Sequence, residues 1–421
     1  MIQRKYIEEI KFWLQKEKII ILKWARQVGK TTLMKKIEQY IQQENLWKTL
    51  FLFADKIDNQ NIFSTPDNFL NYLKYNYNFP NEYIFVFIDE FQFINNAGTF
   101  LKNIFDEYKD RLQIIVSGSS SLEISKNSEF LTGRAIDFYI DRISFREFFI
   151  YRHNLTHIPV FEMSQHDELK SFYALFKQKL EHDFISYLTY GWYPEIVVNK
   201  ENKSKELILS QIIETYIQKD IIHFLKIENI GAFNNLIKLL ASNIWNLVNI
   251  NEISSTLNIS VQTVNKYLDI LEWTFVFSRI SPFFKNIRKE LSKMPKIYIE
   301  DIWIKNYSLR QFDSITKKID LWSEVENFVY NELTKQFEKK QIYFYRTVSK
   351  AEIDFVIEKS FEKYILIEVK YRNKKIPVPV IMRNFEESYG KHQKIIITKE
   401  YLSQEDDVCY IPAVLLPFMK I

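Results

Sequence analysis

The pattern of apolar and polar positions in the first third of the chain predicts a mainly parallel α/β sheet. Apolar runs that each fit one buried strand cover residues 18–23, 49–53, 83–88 and 112–117. Amphipathic stretches with helical spacing cover residues 1–16, 30–43, 67–75 and 97–109. Strands that alternate with helices in this way are typical of βα units, whose strands lie parallel in one sheet.

The pattern changes after Arg142. The next 90 residues are rich in Phe, Tyr and Leu at helical spacing, and they are followed by short helices and a β-like run. Strand-like runs return from residue 296, with a helix predicted at about 321–338. These changes divide the chain into four expected segments: 1–145, 146–230, 231–290 and 291–421.

A phosphate-binding loop is predicted between the first strand and the helix that follows it, where the sequence ends in Gly29-Lys30-Thr31. Backbone N–H groups at the start of a helix point at bound phosphates, and the helix dipole favours their charge. Lys30 would reach the β- and γ-phosphates of ATP, and the Thr31 hydroxyl would ligate Mg²⁺. Trp24 stands where the usual motif begins with glycine. The expected nucleotide contacts are Ala25, Arg26, Gln27, Val28, Gly29, Lys30, Thr31 and Thr32.

Later strand ends add catalytic candidates. The run YIFVFI ends in Asp89 and Glu90, of which the first would hold the Mg²⁺ shell and the second would polarise the attacking water. After the next strand, Ser117 or Ser119 would contact the γ-phosphate or the water, although a plain Ser/Gly turn is the alternative. Arg134 would serve as an arginine finger, in its own subunit or a neighbouring one, or it is an ordinary surface arginine.

Residues 251–273 have the apolar spacing of a helix-turn-helix, with Asn258 at the turn and Ser260 as the cap of the second helix. The second helix is expected to expose Gln262, Thr263, Asn265 and Lys266. A β-like wing follows, and then the basic residues Lys285, Arg288, Lys289, Lys293 and Lys296. These residue types can contact phosphates or base edges, so the segment is expected either to contact DNA or to serve only for packing.

A second set of acidic residues lies near the C-terminus. Asp354 lies on one predicted strand, and Glu368 and Lys370 lie on the next, two residues apart and therefore on one face. Asp354 and Glu368 could bind Mg²⁺, Lys370 could activate water, and Glu326 from the preceding helix could complete the set. Three alternatives stay open: a nuclease, metal or nucleic-acid binding without cleavage, or a structural module.

Several motifs together resemble those of a large family of prokaryotic AAA-type ATPases: ARQVGKTTL, FIDEFQ, SGSS, LTGR, ISFREFF, GWYPEIV and the pair EIDFVIE and LIEVK. The resemblance covers nearly the whole chain. It implies an α/β protein with a P-loop AAA-type parallel sheet, a helical and winged-helix middle region, and a C-terminal α/β restriction-endonuclease-like domain of unknown function. Activity as an ATPase, with ATP and Mg²⁺ bound, is what the resemblance implies.

Composition narrows these possibilities only slightly. A net charge of +4 is too small to indicate a nucleic acid or membrane partner by itself. The single cysteine, Cys409, excludes a disulfide within the chain, and no apolar run is long enough to span a bilayer. We therefore expect a cytoplasmic protein, either an ATP-driven enzyme acting on DNA or a slow nucleotide switch whose C-terminal domain recruits a protein partner. The sequence leaves a homo-oligomer open.

Overall fold

The structure is a computed structural model. It describes residues 2, 4, 6–23, 29–44, 47–118, 131–140, 142–191, 193–223, 227–284, 294–312, 321–360 and 362–421, with only the backbone described at 218–220 and 223. The chain divides into two compact units, Met1–Ile143 and Ser144–Ile421.

The first unit is built on a five-stranded parallel sheet. Its strands are β1 (Ile19–Lys23), β2 (Lys48–Phe53), β3 (Ile84–Asp89), β4 (Leu112–Gly118) and β5 (Ala135–Tyr139). They lie in the order β2-β3-β4-β1-β5. The α-helices described in this unit are α1 (Tyr6–Trp13), α2 (Lys30–Gln43), α3 (Pro66–Tyr77) and α4 (Ala97–Tyr108). The predicted parallel sheet is confirmed.

Local sequence explains why these elements form where they do. Strands β1, β3 and β4 are buried along their whole length, as expected for Ile-, Val- and Phe-rich strands covered on both faces. Helix α3 begins at Pro66, and the Thr65 side chain accepts a hydrogen bond from the Asn68 amide, a favourable N-terminal cap. Strand β5 was not predicted, because its sequence AIDFY has no continuous apolar run. In the structure it is an edge strand and mostly half-buried or exposed.

The helical part of the second unit precedes its main sheet. Its helices up to residue 273 are α5 (Phe145–Arg152), α6 (His166–Tyr190), α7 (Pro194–Val198), α8 (Asn202–Ile213), a π-helix (Glu214–His223), α9 (Ile230–Ser242), α10 (Ile250–Leu257) and α11 (Val261–Trp273). The mostly helical character predicted for this region is confirmed, apart from the two-residue strand β6 (Phe161–Glu162).

The remaining elements form a two-stranded pair and a mixed sheet. They are β7 (Phe277–Ile280), β8 (Lys296–Ile299), α12 (Ile302–Ser308), α13 (Trp322–Leu333), β9 (Ile342–Arg346), β10 (Glu352–Ser360), β11 (Lys363–Val369), α14 (Val380–Tyr389), β12 (Gln393–Thr398), β13 (Ser403–Glu405), β14 (Val408–Pro412) and β15 (Met419–Lys420). The sheet order is β13-β14-β12-β11-β10-β9. The pairs β11–β12 and β12–β14 are parallel, and the other pairs are antiparallel.

An aromatic core joins the helical segment to the C-terminal sheet region. The rings of Phe184 in α6 and Phe328 in α13 lie 4.8 Å apart, and those of Phe172 and Phe418 lie 5.1 Å apart. Strand β15 also pairs in parallel with β6. The predicted segments 146–230 and 291–421 therefore pack against each other through these rings.

The helix-turn-helix geometry follows the sequence closely. Helix α10 ends at Asn258, which adopts a left-handed conformation with φ 51°. Helix α11 begins after Ser260, whose hydroxyl accepts a hydrogen bond from the Thr263 amide at 3.1 Å. Both local predictions, a turn at Asn258 and a cap at Ser260, are confirmed. Strand β7 lies within the run predicted as a wing and pairs antiparallel with β8. The winged helix itself stays a prediction.

Among the described residues, no helix is long and apolar enough to cross a membrane.

Candidate functional site

The carboxyl ends of three neighbouring strands and the start of α2 bring together the first group of predicted site residues. Asp89 ends β3, Ser117 lies near the end of β4, and Lys30 opens the helix that follows β1. The carboxyl edge of a parallel sheet is where α/β proteins bind ligands. Gly29 caps the helix with φ 90°, a left-handed conformation that glycine adopts without steric cost.

The two acidic residues of this edge differ in their partners. Asp89 is buried and accepts hydrogen bonds from Thr31 Oγ1 at 2.5 Å, from the Ser117 hydroxyl, and from the Glu90 amide at 3.1 Å. Glu90 is half-buried and forms an ion pair with Lys30, with 2.6 Å between Nζ and Oε1. Lys30 and Thr31 thus each contact one residue of the Asp89-Glu90 pair.

Glu90 is also held from a side that the sequence interpretation missed. The side-chain Nε2 of Gln92 donates to Glu90 Oε2, and Lys30 Nζ donates to Oε1, so both carboxylate oxygens accept a hydrogen bond within the protein. Glu90 itself adopts φ 55°, an uncommon conformation for a residue other than glycine. The left-handed backbone of Glu90 lets the side chain of Gln92, two positions later, reach the carboxylate. The glutamine in the motif FIDEFQ was the sequence feature that could have indicated this contact.

A buried cation next to this edge was also missed. Lys23, the last residue of β1, is buried and forms an ion pair with Asp137 of β5 at 2.7 Å. From the run KIIILK we expected Lys23 to be a charged residue at the end of the buried strand. Its ion pair with Asp137 instead allows Lys23 to be buried as part of the sheet.

Arg134 lies at the other edge of the sheet. Its carbonyl accepts a hydrogen bond from the Ile19 amide at the start of β1, and its guanidinium pairs with Asp106 at 2.6 Å. Strand β1 runs from Ile19 to Lys23, so about 13 Å of strand separates Arg134 from the edge that carries Lys30. The structure does not bring Arg134 to the Lys30 site of its own chain; action on a neighbouring subunit stays a prediction.

Some predicted residues of this site cannot be assigned a position. Trp24, Ala25, Arg26, Gln27, Val28 and Ser119 lie outside the described residues. Thr32 lies in the first turn of α2 and is exposed.

The second group of predicted residues surrounds a cavity of about 590 Å³ in the second unit, the acidic pocket. Its lining residues are Trp245, Trp322, Ser323, Glu326, Glu352, Asp354, Glu368 and Lys370. Lys370 Nζ lies 2.6 Å from Glu368 Oε1, and Asp354 accepts a hydrogen bond from the Val369 amide at 2.8 Å. The residues that strand alternation placed on one face therefore do meet.

Burial and mutual repulsion disturb these carboxylates. Burial, followed by the negative charge of Asp354, raises the pKa of Glu368 to about 8 and that of Glu326 to about 7. Burial likewise raises the pKa of Asp354, against the attraction of Lys296. Carboxylates that share a desolvated site cannot all ionise freely, and such perturbed groups are typical of functional sites.

Lys296 occupies a position that the sequence interpretation did not anticipate. We expected it in the basic run beyond the wing, but it is buried, 3.3 Å from Glu326 Oε1 and in contact with Glu352. Burial alone would lower the pKa of Lys296, but the surrounding carboxylates of Glu326, Asp354 and Glu352 raise it. The other members of that basic run, 285–293, lie outside the described residues.

The donor atoms of the acidic pocket suit a divalent cation held by few protein ligands. Within the described part of the chain, no three His, Cys, Asp or Glu side chains are arranged to hold a metal ion. Glu326 instead accepts hydrogen bonds from Lys296 and from the Tyr298 hydroxyl. Glu368 Oε2, however, is buried without a hydrogen-bond partner close to Asp354. Mg²⁺ commonly takes one or two carboxylates and keeps several waters, so Asp354 and Glu368 fit it.

The helix-turn-helix segment presents a partly polar face. Gln262 and Lys266 of α11 are exposed, whereas Thr263 and Asn265 are half-buried. Arg279 of β7 is not available on this face as a free cation, because it pairs with Asp269 at 2.7 Å and with Glu272.

Three family models match separate parts of the chain. Residues 16–149 match a family described as an AAA domain, a range that includes the predicted phosphate-binding loop and all five strands of the first unit's sheet. Residues 181–315 and 323–416 match two domains of unknown function, DUF8612 and DUF4143. Neither description specifies a restriction-endonuclease-like fold or a winged helix.

Similar proteins extend over nearly the full chain but are uncharacterised. One from Haemophilus influenzae is 24% identical over 96% of this chain and 95% of its own length. One from Methanocaldococcus jannaschii is 26% identical over 97% of this chain and 85% of its own.

Solved structures are only distantly similar. Domain III of the Thermotoga maritima replication initiation protein DnaA is 16% identical, covering 49% of this chain and 89% of that one, with a TM-score of 0.29. The Cdc6p structure from Pyrobaculum aerophilum is 8% identical, covering 74% and 93%, with a TM-score of 0.30. Scores this low carry no conclusion about this chain.

Proposed function

We propose that the first unit binds ATP together with Mg²⁺ and hydrolyses the nucleotide at the carboxyl edge of its sheet. The observation that carries this proposal is the convergence of Lys30 and Thr31 on Asp89 and Glu90, in a segment that matches the AAA domain family. A lysine, a hydroxyl and two carboxylates at the start of a helix are the groups that P-loop phosphoryl transfer uses.

Each residue has a distinct task in this proposal. Lys30 exchanges its ion pair with Glu90 for the β- and γ-phosphates. Thr31 and Asp89 hold Mg²⁺, which when bound neutralises charge on the phosphate oxygens. Glu90, freed from Lys30 and oriented by Gln92, takes a proton from the attacking water. Ser117 fixes the Asp89 carboxylate.

Phosphate release from Mg²⁺–ATP tests this function. Wild type should turn over, Lys30→Ala should not, and Lys35→Ala, an exposed lysine of the same helix, should match wild type. Turnover that survives Lys30→Ala would overturn the assignment.

A second activity is supported at the acidic pocket, within a domain that we propose to be restriction-endonuclease-like: metal-dependent cleavage of nucleic acid. The observation in its favour is the unpartnered, buried Glu368 Oε2 beside Asp354, with Lys370 within 2.6 Å of the same side chain. In this proposal Asp354 and Glu368 hold Mg²⁺, and Lys370 orients the attacking water.

Nicking of plasmid DNA tests the second activity. Cleavage should require Mg²⁺ or Mn²⁺ and be lost in Asp354→Ala, while Glu405→Ala, a surface carboxylate paired with Lys375 in the same unit, should cut normally. Cutting by Asp354→Ala would assign the activity to a contaminant.

DNA binding by the helix-turn-helix segment, as part of a winged helix, would join the two activities. The capped turn at residues 258–260 and the exposed Gln262 and Lys266 support this assignment. Binding through phosphates must weaken steeply with salt. Duplex affinity that does not change with salt, or that is unaffected by Lys266→Ala, would limit the segment to packing.

The alternative is a slow nucleotide switch whose C-terminal domain recruits a protein partner. One observation favours it: Glu90 Oε1 is held by Lys30, and this ion pair must break before the carboxylate can act as a base. Tight ATP binding with no measurable turnover, with or without DNA, would select the switch over the ATP-driven enzyme.

A further inference from the structure

Two tryptophans form part of the wall of the acidic pocket. Trp322 opens α13, and Lys370 Nζ lies 4.5 Å from the centre of its ring. Trp245 comes from the segment between α9 and α10, far from Trp322 in the sequence, and remains 37% exposed. Trp245 is thus partly exposed and Trp322 half-buried, and both rings lie beside the carboxylates and the lysine of this pocket. Tryptophan is among the aromatic side chains on which nucleobases stack.

The position of Trp245 is fixed at an energetic cost. Its backbone adopts φ 64°, a left-handed conformation that is strained for a bulky L-residue. The Trp245 amide donates to the Ile297 carbonyl at 2.7 Å, and the Ile297 amide donates to the Asn246 carbonyl at 3.3 Å. Strand β8 thus holds the strained residue in place.

The same strand contributes the central cation of the site. Lys296, next to Ile297, is buried against Glu326 and Glu352, and it is bridged through its backbone to Leu247. The ring of Trp245 is therefore positioned by the strand that organises the carboxylates. Strained residues that the surrounding structure holds in place cluster at binding sites.

We propose that Trp245 and Trp322 stack an unpaired nucleobase, so that the acidic pocket takes single-stranded nucleic acid. The proposal rests on the proposed cleavage function of this pocket. Base faces are available for stacking only when the base is out of a duplex, because paired bases are covered by their neighbours. Lys370 lies over one face of the Trp322 ring and also contacts Glu368. In this proposal the base therefore stacks on the rings away from Lys370, and its adjoining phosphate lies near the Lys370 ammonium.

Fluorescence titration of the full chain with three probes in Mg²⁺ tests the proposal. The probes are a single-stranded oligothymidine, an abasic oligomer of the same length with the same phosphates, and a duplex. We expect oligothymidine to quench tryptophan emission and to bind more tightly than the abasic oligomer. Trp245→Ala should weaken oligothymidine binding by about 5- to 150-fold, the equivalent of one stacked base.

Two variants guard against a folding defect. Trp245→Phe keeps a ring and should restore most of the affinity, and duplex affinity should be the same in all variants. Trp47→Ala, at an exposed tryptophan of the first unit, should bind oligothymidine like wild type. Equal affinity for oligothymidine and the abasic oligomer, or no loss in Trp245→Ala, would overturn the proposal that Trp245 and Trp322 stack a base.

Cleavage measured in parallel separates this proposal from the function it rests on. Oligothymidine binding that depends on Trp245, without any cleavage, would reject the proposed nuclease activity and support base stacking by the two tryptophans. Cleavage that depends neither on Trp245 nor on the bases would support the proposed nuclease activity and reject base stacking by the two tryptophans.

Discussion

The two polar sites of this protein resolve the same electrostatic problem in opposite ways. At the edge of the first unit each carboxylate is matched by donors: Asp89 by Thr31 at the start of α2 and by Ser117 of β4, and Glu90 by Lys30 at the start of α2. In the acidic pocket, several carboxylates share a desolvated space, and their pKa values rise. A matched site is ready for an anionic ligand that replaces its internal partners, whereas a crowded one favours a cation.

The largest expected effect concerns Glu90. Glu90→Gln should lower ATP turnover by about 10²- to 10⁴-fold, because the amide cannot accept the proton from water. ATP affinity should hold or increase, since Lys30 loses the carboxylate that competes for it. Turnover and equilibrium binding of ATP are the measurements, with the exposed Glu44→Gln at the end of α2 as the control. Normal turnover in Glu90→Gln would remove Glu90 from the proposed mechanism.

Lys296→Met tests the comparison at the acidic pocket. Removing this cation leaves buried carboxylates uncompensated, which should destabilise the second unit by about 3–5 kcal/mol. Thermal or denaturant unfolding measures the change. The added substitution Glu326→Gln should recover part of it, because it removes one of the charges left behind.

A matched control for Lys296→Met is Lys339→Met. Lys339 also pairs with a carboxylate, Glu300, at 2.5 Å, but its side chain is 41% exposed and screened by solvent. Its loss should change stability little. A similar loss for both variants would mean that burial of the Lys296 pair is not the cause.

Ser117→Ala should have an intermediate effect. It removes one hydrogen bond to a buried carboxylate, worth about 1.5–3 kcal/mol, while Thr31 and the Glu90 amide still hold Asp89. We expect a raised KM for Mg²⁺ with a smaller fall in kcat. Ser64→Ala, at a surface serine of the same unit, is the control. A fall in kcat alone would indicate a direct role of Ser117 on the reacting groups.

Arg134→Ala should have the smallest effect on the isolated chain. Its ion pair with Asp106 is exposed, and Arg134 lies at the edge of the sheet remote from Lys30. Thermal unfolding and turnover at low protein concentration should be unchanged. A loss of turnover that appears only at high concentration would indicate an arginine finger acting on a neighbouring subunit.

The first site could be predicted from the sequence because its residues lie at the ends of successive parallel strands. Strand ends in a βα pattern meet at one edge, so Lys30, Asp89 and Ser117 needed only the strand order to be brought together. Gln92 and Asp137 were not predicted. The first depends on the left-handed backbone of Glu90, and the second lies on an edge strand whose sequence carries no apolar run.

The acidic pocket was predictable only in part. The alternation of β11 placed Glu368 and Lys370 together, and Asp354 followed on the adjacent antiparallel strand. Lys296 and Trp245 come from distant segments that pair with each other through backbone hydrogen bonds. Periodicity describes one element at a time, so a basic residue in a charged run gave no sign that it would be buried.

The pairing of β15 with β6 has a consequence for the order of events during synthesis. Phe418 packs against Phe149 and Phe172, which lie far earlier in the sequence. These contacts are therefore strongly nonlocal. During synthesis, α5 and α6 lack this aromatic partner until the segment around residue 418 has been made. We therefore expect the core of the second unit to close only after the segment around residue 418 has been made.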